Sequence, residues 1–398
     1  MTVSDVDILL VGGGVASAAA AAELRKQGFD GSITLVTREL LGPYHRPSIT
    51  KALLGPDADA HDIAVHPASW WEDNDVRLLT RSAVVSLDTA GRTATLANKS
   101  VLHYQRALLA TGAMVRRLNV DGAALDGIHY LRAPGNAQKL RSHAAHARRA
   151  VLVGGSFIAT EVAASLTAFG VHCTMVLPER APLETAFGAT VADHVSGLLR
   201  SRGVELVCGE QVAAFSGEGQ VDGVRTISGR HIPADLVVVG IGAVADTKLA
   251  KAAGLTIGPT GGIACDATLR TSAEHVYAAG DACEYDSTVH RRRLRLEHEE
   301  HAIAQGITAA RNMLGAAIEH REIPYFWTDL ADLARLEYVG PADEWDSERV
   351  AGSVGSGDFT VWYLQDDRVV AALTSGRKQD LDLARQLIAT GLPDVAGE

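Results

Sequence analysis

The sequence predicts an α/β fold in which one strand–turn–helix–strand unit occurs twice and a smaller α+β domain follows. Two observations predict the repeated unit: one apolar run leads into Gly12, and a second leads into Gly154. A helical stretch and another apolar run follow each of these glycine-rich turns. A third observation predicts the last domain, because short apolar runs of strand length become frequent after Asp329. At 398 residues, the chain is long enough for two or three domains of roughly 100–200 residues each.

The first unit begins with the apolar run 8–11, which ends at three consecutive glycines. An alanine-rich stretch then continues to Lys26 and stops at Gly28, and residues 33–36 form the next predicted strand. Together these segments have the length of a βαβ unit, about 30 residues. They predict a Rossmann-like dinucleotide-binding domain, in which the glycine-rich turn faces a diphosphate.

The residues of the first turn fit the roles that diphosphate binding requires. Gly12 makes the tight turn, Gly14 lets the backbone approach the pyrophosphate, and Ser17 stands where a third glycine packs the helix on the strand. Val15 and Ala16 supply helix-terminal N–H groups that we expect to face the anion. An ordinary glycine turn without a ligand is the alternative.

Glu39 is the acidic residue expected to bind a ribose hydroxyl, because such a residue follows the turn by about 20 positions. Arg38 is an unusual neighbour for it. Glu39 as a solvated loop carboxylate is the competing interpretation.

The second unit is less regular than the first. Residues 151–153 lead into Gly154, residues 157–169 are predicted to be helical, Gly170 ends the helix, and residues 173–176 form the next strand. Serine and alanine replace its second and third glycines, and a leucine occupies the position just after the strand where an acid is expected. The residues predicted to bind a second dinucleotide here are Gly154, Ser156, Phe157, Ile158, Glu179 and Gly242. A Rossmann-like lobe that binds dinucleotide poorly is the alternative.

Further apolar runs complete the prediction. Residues 236–239 form a strand, and residues 276–279 form another that leads into Gly280 and Asp281. In the final domain, the predicted elements are strands at 359–364 and 369–373 and a helix at 381–390.

Composition and charge exclude several classes of function. Apolar residues make up 47% and charged residues 21% of the chain, which is typical of a globular protein. The net charge of -11 argues against general binding to nucleic acid or to an anionic membrane. The N-terminus carries Asp5 and Asp7 where a signal peptide would be positive, so we expect a cytoplasmic protein. The four cysteines are too far apart in sequence for a zinc site or a redox CxxC, and we expect buried thiols and no metal.

Several motifs along the chain match one family when they are taken together. They are Gly12–Ser17, residues 43–51 in the form of a PYxRPPLSK-type segment, Ala110–Gly112, Gly154–Glu161, Ala278–Asp281, Arg295, Glu297, Ala302, Gln305, Gly306, Phe326, Trp327 and Asp329. On these residues the chain resembles the FAD-dependent ferredoxin reductases that serve multicomponent oxygenases, and their apoptosis-inducing-factor-like relatives. The likeness covers nearly the whole chain.

The resemblance implies a domain arrangement and a set of FAD contacts. It implies a discontinuous FAD-binding domain at 1–115 and 246–320, an NAD(P)-binding domain at 116–245, and a C-terminal α+β domain at 321–398. The residues expected near FAD are Gly12, Gly14, Val15, Ala16, Glu39, Arg46, Lys51, Ala110, Thr111, Gly112, Gly280, Asp281, Glu297, His298, Glu299 and Trp327. Asp281 resembles the aspartate that hydrogen-bonds the ribityl chain, with a helix N-cap as the alternative. Arg46 would contact the phosphates or the flavin edge, or be an ordinary exposed arginine.

Lys51 and Glu161 resemble the family's pair near flavin N5 and the nicotinamide. A lysine in that place would stabilise the negative charge of a reduced flavin, and a carboxylate would orient the lysine and the carboxamide. We therefore predict them as the catalytic pair; an ordinary surface ion pair is the alternative.

The chain also departs from the family pattern. Glu299 stands where many of these reductases carry an aromatic residue, and a carboxylate cannot stack and would repel negative charge. Leu330 and Ala331 replace more polar and aromatic residues after Asp329. We infer an altered nicotinamide side, so hydride transfer is less assured than FAD binding.

The absence of a cysteine from one segment of the sequence excludes a protein thiol as the electron acceptor beside the flavin. Residues 40–51 contain no cysteine, whereas related disulfide and peroxide reductases need one beside the flavin. Electrons must therefore leave without a protein thiol, and a small acidic [2Fe–2S] ferredoxin fits. A basic patch of Arg291, Arg292, Arg293 and Arg295 could steer such a partner, or be a solvated loop.

The leading hypothesis is an oxidoreductase that takes hydride from NAD(P)H on FAD and passes single electrons to a ferredoxin that feeds an oxygenase. NADH is expected, and NADPH is not excluded because Leu177 and Arg180 are both present. The alternative is a flavoprotein with a degenerate nicotinamide site that acts as a binding, sensing or accessory subunit. We expect a monomer or homodimer; the electron acceptor is not determined by the sequence.

Overall fold

The computed structural model describes residues 3–55 and 58–391. Its strands are β1 (Val3–Val11), β2 (Ile33–Val36), β3 (Val76–Leu79), β4 (Val84–Asp88), β5 (Thr93–Leu96), β6 (Val101–Leu109), β7 (Ala113–Val115), β8 (Ile128–His129), β9 (Arg149–Val153), β10 (His172–Leu177), β11 (Glu205–Cys208), β12 (Val212–Ser216), β13 (Gly223–Thr226), β14 (His231–Pro233), β15 (Leu236–Val239), β16 (Ala243–Ala245), β17 (Ile263–Cys265), β18 (Val276–Ala278), β19 (Cys283–Ser287), β20 (Arg292–Leu294), β21 (Tyr325–Leu330), β22 (Ala334–Val339), β23 (Ser347–Ser353), β24 (Asp358–Gln365) and β25 (Arg368–Ser375).

The helices are α1 (Val15–Lys26), α2 (Ala68–Asp73), α3 (Pro134–Ala144), α4 (Phe157–Ala168), α5 (Glu184–Ser201), α6 (Lys248–Ala252), α7 (Glu299–Met313) and α8 (Gln379–Thr390). Short 3-10 helices lie at Arg46–Thr50, Ala52–Leu54, Gly280–Ala282 and Val354–Ser356. None of the helices in the described ranges is long and apolar enough to cross a membrane.

The described residues divide into two compact units. The first unit contains residues 3–45, 61–114 and 244–326. The second unit contains residues 46–55, 58–60, 115–243 and 327–391. The three domain boundaries expected from the sequence stay predictions.

The first unit contains a mostly parallel sheet in the order β3-β2-β1-β6-β5-β4. Strands β1, β2, β3 and β6 run parallel, as the βαβ prediction requires, and β4 and β5 form an antiparallel extension. Strand β18 joins β6 in parallel, so a segment from far downstream in the chain completes this sheet. The predicted strand at 33–36 and the predicted helix end at Lys26 both agree with the structure.

Helices α1 and α7 pack closely in this unit because small residues line their contact. A Cβ atom on Gly306 would lie 2.2 Å from the carbonyl oxygen of Ala16. Side-chain atoms at position 306 would therefore push the two helices apart. This close contact places the N-terminus of α7 near the glycine-rich turn that precedes α1.

The second unit contains a parallel sheet in the order β11-β10-β9-β15-β8 and the antiparallel sheet β12-β13-β14. Strands β9 and β15 are fully or almost fully buried, which explains their continuous runs of valine and leucine. A third, five-stranded sheet has the order β21-β22-β25-β24-β23 and packs against α8. This last sheet and helix form the predicted α+β domain.

One expectation about the cysteines needs a correction. Cys173, Cys265 and Cys283 are buried, but Cys208 is only half-buried because it ends the edge strand β11. Burial raises the pKa of the Cys173 thiol to about 12 and holds the pKa of Cys283 well above its usual range. These two thiols therefore stay protonated near neutral pH.

Candidate functional site

In the first glycine-rich turn, neighbouring atoms leave no room for a side chain at two of the three glycines. Gly12 has a φ of 123°, and a Cβ there would lie 2.0 Å from the carbonyl oxygen of Ala110 at the end of β6. A Cβ on Gly13 would lie 2.3 Å from Oγ1 of Thr37. Gly14 differs from both, because no atom of the described residues lies within 4 Å of the position of its Cβ. The turn is thus closed on the protein side and open at Gly14.

The N-terminus of α1 has the properties that an anion site needs. Gly14 is its N-cap, and no side chain caps the helix. The first turn, which begins with Val15 and Ala16, contains no acidic residue. Uncapped N–H groups and the positive end of the helix dipole attract a diphosphate. The residues present therefore fit the pyrophosphate of FAD.

Glu39 lies three residues after the end of β2, at the carboxyl edge of the parallel sheet. Its Oε2 accepts a hydrogen bond of 2.5 Å from the Tyr44 hydroxyl, so the carboxylate is oriented. The neighbouring Arg38 is held separately, because its guanidinium lies 3.0 Å from the carboxylate of Asp246. Among the described residues, Arg38 and Glu39 therefore have different partners. Because Arg38 pairs with Asp246 and not with the Glu39 carboxylate, the assignment of Glu39 to a ribose hydroxyl is supported.

The segment Ala110–Gly112 links the end of β6 to the downstream part of the first unit. The Ala110 amide donates to the carbonyl of Val11, and the Thr111 hydroxyl donates to the carbonyl of Asp246 at 2.6 Å. The amide of Asp246 in turn donates to the carbonyl of Gly112. The three predicted residues therefore lie beside the first turn, and their hydrogen bonds join the end of β6 to Val11 and to Asp246.

Gly280 and Asp281 lie in the short 3-10 helix that follows β18. The Gly280 amide donates 2.7 Å to Oε1 of the buried Gln305 on α7. A Cβ on Gly280 would come within 3.6 Å of the Cβ of Ala16, which places this turn beside the start of α1. Asp281 is the second residue of its 3-10 helix and not its N-cap, so the alternative interpretation of Asp281 as an N-cap is wrong.

Glu297 forms an ion pair with Arg295, whose Nη1 lies 2.6 Å from its Oε1. The same Arg295 nitrogen donates to the main-chain carbonyl of Asp281. Arg295 therefore ties the segment before α7 to the predicted ribityl-binding residue. This arrangement places Glu297 and Asp281 on the same side of the first unit.

His298 and Glu299 form the start of α7. The ring of His298 stacks on Phe326 with centroids 3.9 Å apart, and its burial lowers the pKa of His298 to about 4. The carboxylate of Glu299 lies 2.8 Å from Nδ1 of His45. Glu299 also begins a helix, where a negative charge is favourable. The expected repulsion is therefore reduced by a neighbouring histidine and by the helix dipole.

The second glycine-rich turn repeats the first in altered form. Gly154 has a φ of 111°, and a Cβ there would lie 2.3 Å from the carbonyl of Gly240. Ser156 is the N-cap of α4 but does not cap it; its hydroxyl donates to Gly240 at 3.2 Å. Phe157 and Ile158 open the helix and are half-buried, and its first turn contains no acidic residue. The helix terminus is thus available to an anion although two glycines are replaced.

Glu179 lies two residues after β10, beside the second turn. Its Oε2 would lie 2.9 Å from a Cβ on Gly155, and it is buried without a hydrogen-bond partner among the described residues. A buried carboxylate oxygen without a donor is costly, and ribose hydroxyls would supply donors. Arg180 is committed elsewhere, with Glu184 and Asp193 each 2.8 Å from its guanidinium.

Lys51 and Glu161 form an ion pair within the second unit. The Lys51 ammonium lies 2.7 Å from Oε1 of Glu161, and only 6% of the Glu161 side chain is exposed. The alternative of an ordinary surface ion pair is wrong, because both side chains are largely buried. Two hydroxyls also donate to the carboxylate, from Thr50 to Oε2 at 2.5 Å and from Thr328 to Oε1 at 2.6 Å.

The remaining predicted residues of the second unit have partners of their own. The Arg46 guanidinium donates to the carbonyl of Arg132 at 3.0 Å. Trp327 receives the guanidinium of Arg335 over its ring, 5.1 Å from the centroid. Gly242, with a φ of 94°, accepts a hydrogen bond from the Arg116 amide. These contacts fix the three positions and do not by themselves assign a ligand.

Sequence reasoning gave no role to four residues that the structure connects to predicted ones. They are Tyr44 on Glu39, His45 on Glu299, and Thr50 and Thr328 on Glu161. Three of them lie in the segment 43–51 and the fourth lies between Trp327 and Asp329. The motifs therefore identified the segments that contain these four residues, but only the fold shows which side chains are in contact.

The chain matches two protein families and several known relatives over nearly its whole length. Residues 6–306 match the family described as pyridine nucleotide-disulphide oxidoreductase, and residues 325–397 match the family described as reductase C-terminal. Rhodocoxin reductase from Rhodococcus erythropolis is 34% identical over 98% of this chain and 90% of its own length. Putidaredoxin reductase from Pseudomonas putida is 31% identical over 97% of this chain and 92% of its own length.

Solved structures give the same result for the fold. The covalent complex of putidaredoxin reductase with putidaredoxin matches with a TM-score of 0.92 and 31% identity, over 98% of this chain and 94% of that one. The ferredoxin reductase for the CYP199A2 system from Rhodopseudomonas palustris matches with a TM-score of 0.94 and 28% identity, over 98% of each chain. The predicted α/β fold class is therefore confirmed, and the chain belongs to the pyridine nucleotide-disulphide oxidoreductase family, among the FAD-dependent ferredoxin reductases of oxygenase systems.

Proposed function

We propose that this protein oxidises NADH and delivers single electrons to a small acidic [2Fe–2S] ferredoxin that feeds an oxygenase. The observation that carries the proposal is the buried Lys51–Glu161 pair in the unit of the second glycine-rich turn. A buried ion pair costs desolvation energy and is weak evidence for stability, so its presence points to chemistry. The relatives named above are ferredoxin reductases along the same length of chain.

FAD, when bound, accepts a hydride from the nicotinamide and releases the two electrons one at a time. The protein's own residues bind and orient. Gly14 and the N-terminus of α1 bind the diphosphate, and Glu39 binds a ribose. Lys51 supplies a positive charge fixed by Glu161, which favours the developing negative charge of the reduced cofactor.

No thiol of the described residues is suited to relay the electrons. Cys173 and Cys283 are buried with raised pKa values, and burial also raises the pKa of the half-buried Cys208. The fourth thiol, Cys265, is buried as well. A thiolate is the reactive form of cysteine, and raised pKa values disfavour it. Electrons therefore go from the flavin to an external acceptor.

The proposal favours NADH over NADPH. The unpartnered oxygen of Glu179 beside Gly155 suits a ribose with free hydroxyls and repels a 2′-phosphate. The nearest arginine in sequence, Arg180, already contacts two carboxylates and is not available to neutralise that phosphate. We therefore infer that NADH is the physiological donor.

We also infer a cytoplasmic location. All four cysteines are unpaired in the structure, although Cys265 and Cys283 lie on the paired strands β17 and β19. Disulfides are frequent in exported proteins and rare in the reducing cytoplasm. Fractionation of cells that express the protein, with detection of the flavin, would test this inference.

The test of the function is anaerobic reduction of the purified protein in a stopped-flow spectrometer. We expect the flavin band to bleach rapidly with NADH and at least ~10-fold more slowly with equal NADPH, since each missing or repelled contact costs about 1.4 kcal/mol or more. Lys51→Ala should keep its FAD and lose at least ~10-fold in the rate of reduction. Lys99→Ala, at an exposed turn, is the control.

Other results would favour the alternative function. A yellow protein whose spectrum is unchanged at millimolar NADH would be a binding or sensing flavoprotein, as the replaced glycines Ser156 and Ala159 allow. Rapid bleaching without transfer to any [2Fe–2S] ferredoxin would leave the donor half of the proposal intact and contradict the acceptor half.

A further inference from the structure

The carboxylate of Glu161 is surrounded by donors from two separate parts of the second unit. Lys51 and Thr50 come from the segment 46–55, and Thr328 comes from strand β21 of the C-terminal domain. Lys51 and Thr328 both bond to Oε1, while Thr50 bonds to Oε2. Each oxygen therefore has a hydroxyl donor, and only one oxygen faces the ammonium.

The geometry fixes the direction of each hydroxyl proton. Thr328 is fully buried, and its hydroxyl has only Glu161 as its described acceptor. Thr50 can donate to Glu161 at 2.5 Å or to the carbonyl of Pro47 at 3.2 Å, and the shorter contact is to the carboxylate. A hydroxyl carries one proton, and the nearest described acceptor of each threonine is the Glu161 carboxylate, so both threonines donate to it.

These contacts prevent the carboxylate from turning. Without the hydroxyls, Glu161 could rotate about its last torsion, which is soft, and exchange the oxygen that meets Lys51. The Lys51 ammonium has only one other described acceptor, the carbonyl of Pro47 at 3.5 Å, so its position depends on Glu161. Small errors in the position of a charged group lower its effect on a reacting atom strongly.

We propose that Thr328 and Thr50 are positioning residues that hold the Glu161 carboxylate in one orientation, so that Lys51 is fixed for hydride transfer. The proposal rests on the proposed NADH oxidation. It gives the C-terminal domain a part in the chemistry, because Thr328 extends from its first strand to the ion pair. Thr328 is the sharper of the two to test, since its hydroxyl makes no other described bond.

The experiment measures the limiting rate of anaerobic flavin reduction and the Kd of NADH for Thr328→Val, Thr328→Ser and the parent protein. Valine has the shape of threonine and lacks the donor. We expect Thr328→Val to lose about 10-fold in the limiting rate of reduction with little change in the Kd of NADH. Thr328→Ser should restore the rate.

Thr360→Val is the matched control. Thr360 is also fully buried in the C-terminal domain and also donates 2.6 Å to a carboxylate, that of Asp380, but it has no described contact with Glu161. Its removal should leave the limiting rate of reduction unchanged. An equal loss of rate with Thr360→Val would show that the effect comes from loss of stability, and would overturn the proposal.

A double-mutant cycle separates positioning from a merely structural role. In a Glu161→Gln background, Thr328→Val should cause little further loss of rate, because the carboxylate that Thr328 positions is absent. Equal losses in both backgrounds would overturn the proposal. If the valine variant does not retain FAD, Thr328→Ala is measured by the same readouts, with flavin content as the test of folding.

The failure of this proposal is distinct from the failure of the proposed function. A parent protein whose flavin NADH does not reduce contradicts the function. A parent protein that is reduced rapidly, together with a Thr328→Val variant that matches it in rate, contradicts only the positioning role.

Discussion

Gly14 is the residue at which the absence of a side chain decides whether the cofactor can bind. Its α-carbon faces open space at an uncapped helix terminus, whereas Gly12 and Gly13 face protein atoms. Gly14→Val should therefore fold but lose most of its FAD, because the branched side chain would fill the approach of the pyrophosphate. The ratio of flavin absorbance to protein after purification measures this loss.

A matched control exists for the Gly14 variant. Gly197 lies within helix α5 and also has open space at its Cβ position, but it is far from either glycine-rich turn in sequence. Gly197→Val should keep its full flavin content. Full flavin in Gly14→Val would contradict the assignment of the first turn to the diphosphate.

Glu299 shows how a departure from a family pattern can be compensated at another position. The sequence places a carboxylate where an aromatic residue is usual, and this suggests repulsion of a reduced cofactor. His45 lies 254 positions away and binds that carboxylate at 2.8 Å. The Glu299 carboxylate thus has a hydrogen-bonding partner in the fold, which the residue at 299 alone does not reveal.

The elements that the sequence predicts well are those whose pattern is local. The helix after Gly14, the strand at 33–36 and the buried strand at 236–239 agree with the structure because apolar periodicity and glycine stops define them. The joining of β18 to β6 depends on pairing between distant segments, as does the contact of Thr328 with Glu161, 167 positions apart. No local sequence pattern encodes contacts between distant segments. The motif resemblance therefore identified the segments involved but did not predict which residues form the hydrogen bond.

Strand β20 and the residues on either side of it carry the arginines predicted to bind a ferredoxin, and these arginines differ in exposure. Arg293 and Arg295 are only half-buried and contact Glu284, Asp286 and Glu297 of the first unit. Arg291 and Arg292 are exposed to solvent. Because a docking partner reaches exposed charges first, we expect steering of an acidic partner to depend on Arg291 and Arg292.

Charge reversal at these two positions tests the docking prediction. Arg291→Glu with Arg292→Glu should lower the second-order rate of reduction of a small acidic [2Fe–2S] ferredoxin about 10-fold at low salt, with a smaller effect at high salt. Reduction of ferricyanide should be unchanged. The control is Lys248→Glu with Lys251→Glu, an equal change of charge on the exposed face of α6 in the same unit. An equal loss of rate in both double variants would show that the effect comes from the net charge of the protein and not from docking at Arg291 and Arg292.

At the scale of the whole molecule, a cluster of buried histidines sets the response to acid. His301 and His320 lie in the first unit with ring centroids 5.0 Å apart, and the ring of Tyr285 lies near both. Burial lowers the pKa of His320 to about 4 and holds the pKa of His301 well below its usual range. Each histidine is neutral in the folded protein and must take up a proton on unfolding in acid.

The sign of the pH effect follows from these lowered pKa values. Above the unfolded value of about 6.5, folded and unfolded histidines are both neutral, so the full stability is present. Between 6.5 and 4 only the unfolded state binds the proton, so stability falls as pH falls. For His320, with a folded pKa of about 4, the loss is about 2 kcal/mol by pH 5. We expect the melting temperature and flavin retention to decrease together over this range.

His320→Gln should reduce that decrease, because glutamine can still bond to the Thr308 hydroxyl, which lies 3.0 Å from Nδ1 of His320, and does not titrate. The measurement is the drop in melting temperature from pH 7 to pH 5, and the variant should lose less than the parent protein even if it starts lower. His103→Gln, at an exposed histidine on β6, should show the drop of the parent. An equal drop in all three proteins would assign the acid sensitivity between pH 7 and pH 5 to groups other than His320, such as His301. The carboxylates of Glu23 and Asp235 have lowered pKa values and do not act in this range, because their stabilisation is lost only as the pH falls below their unfolded values of about 4.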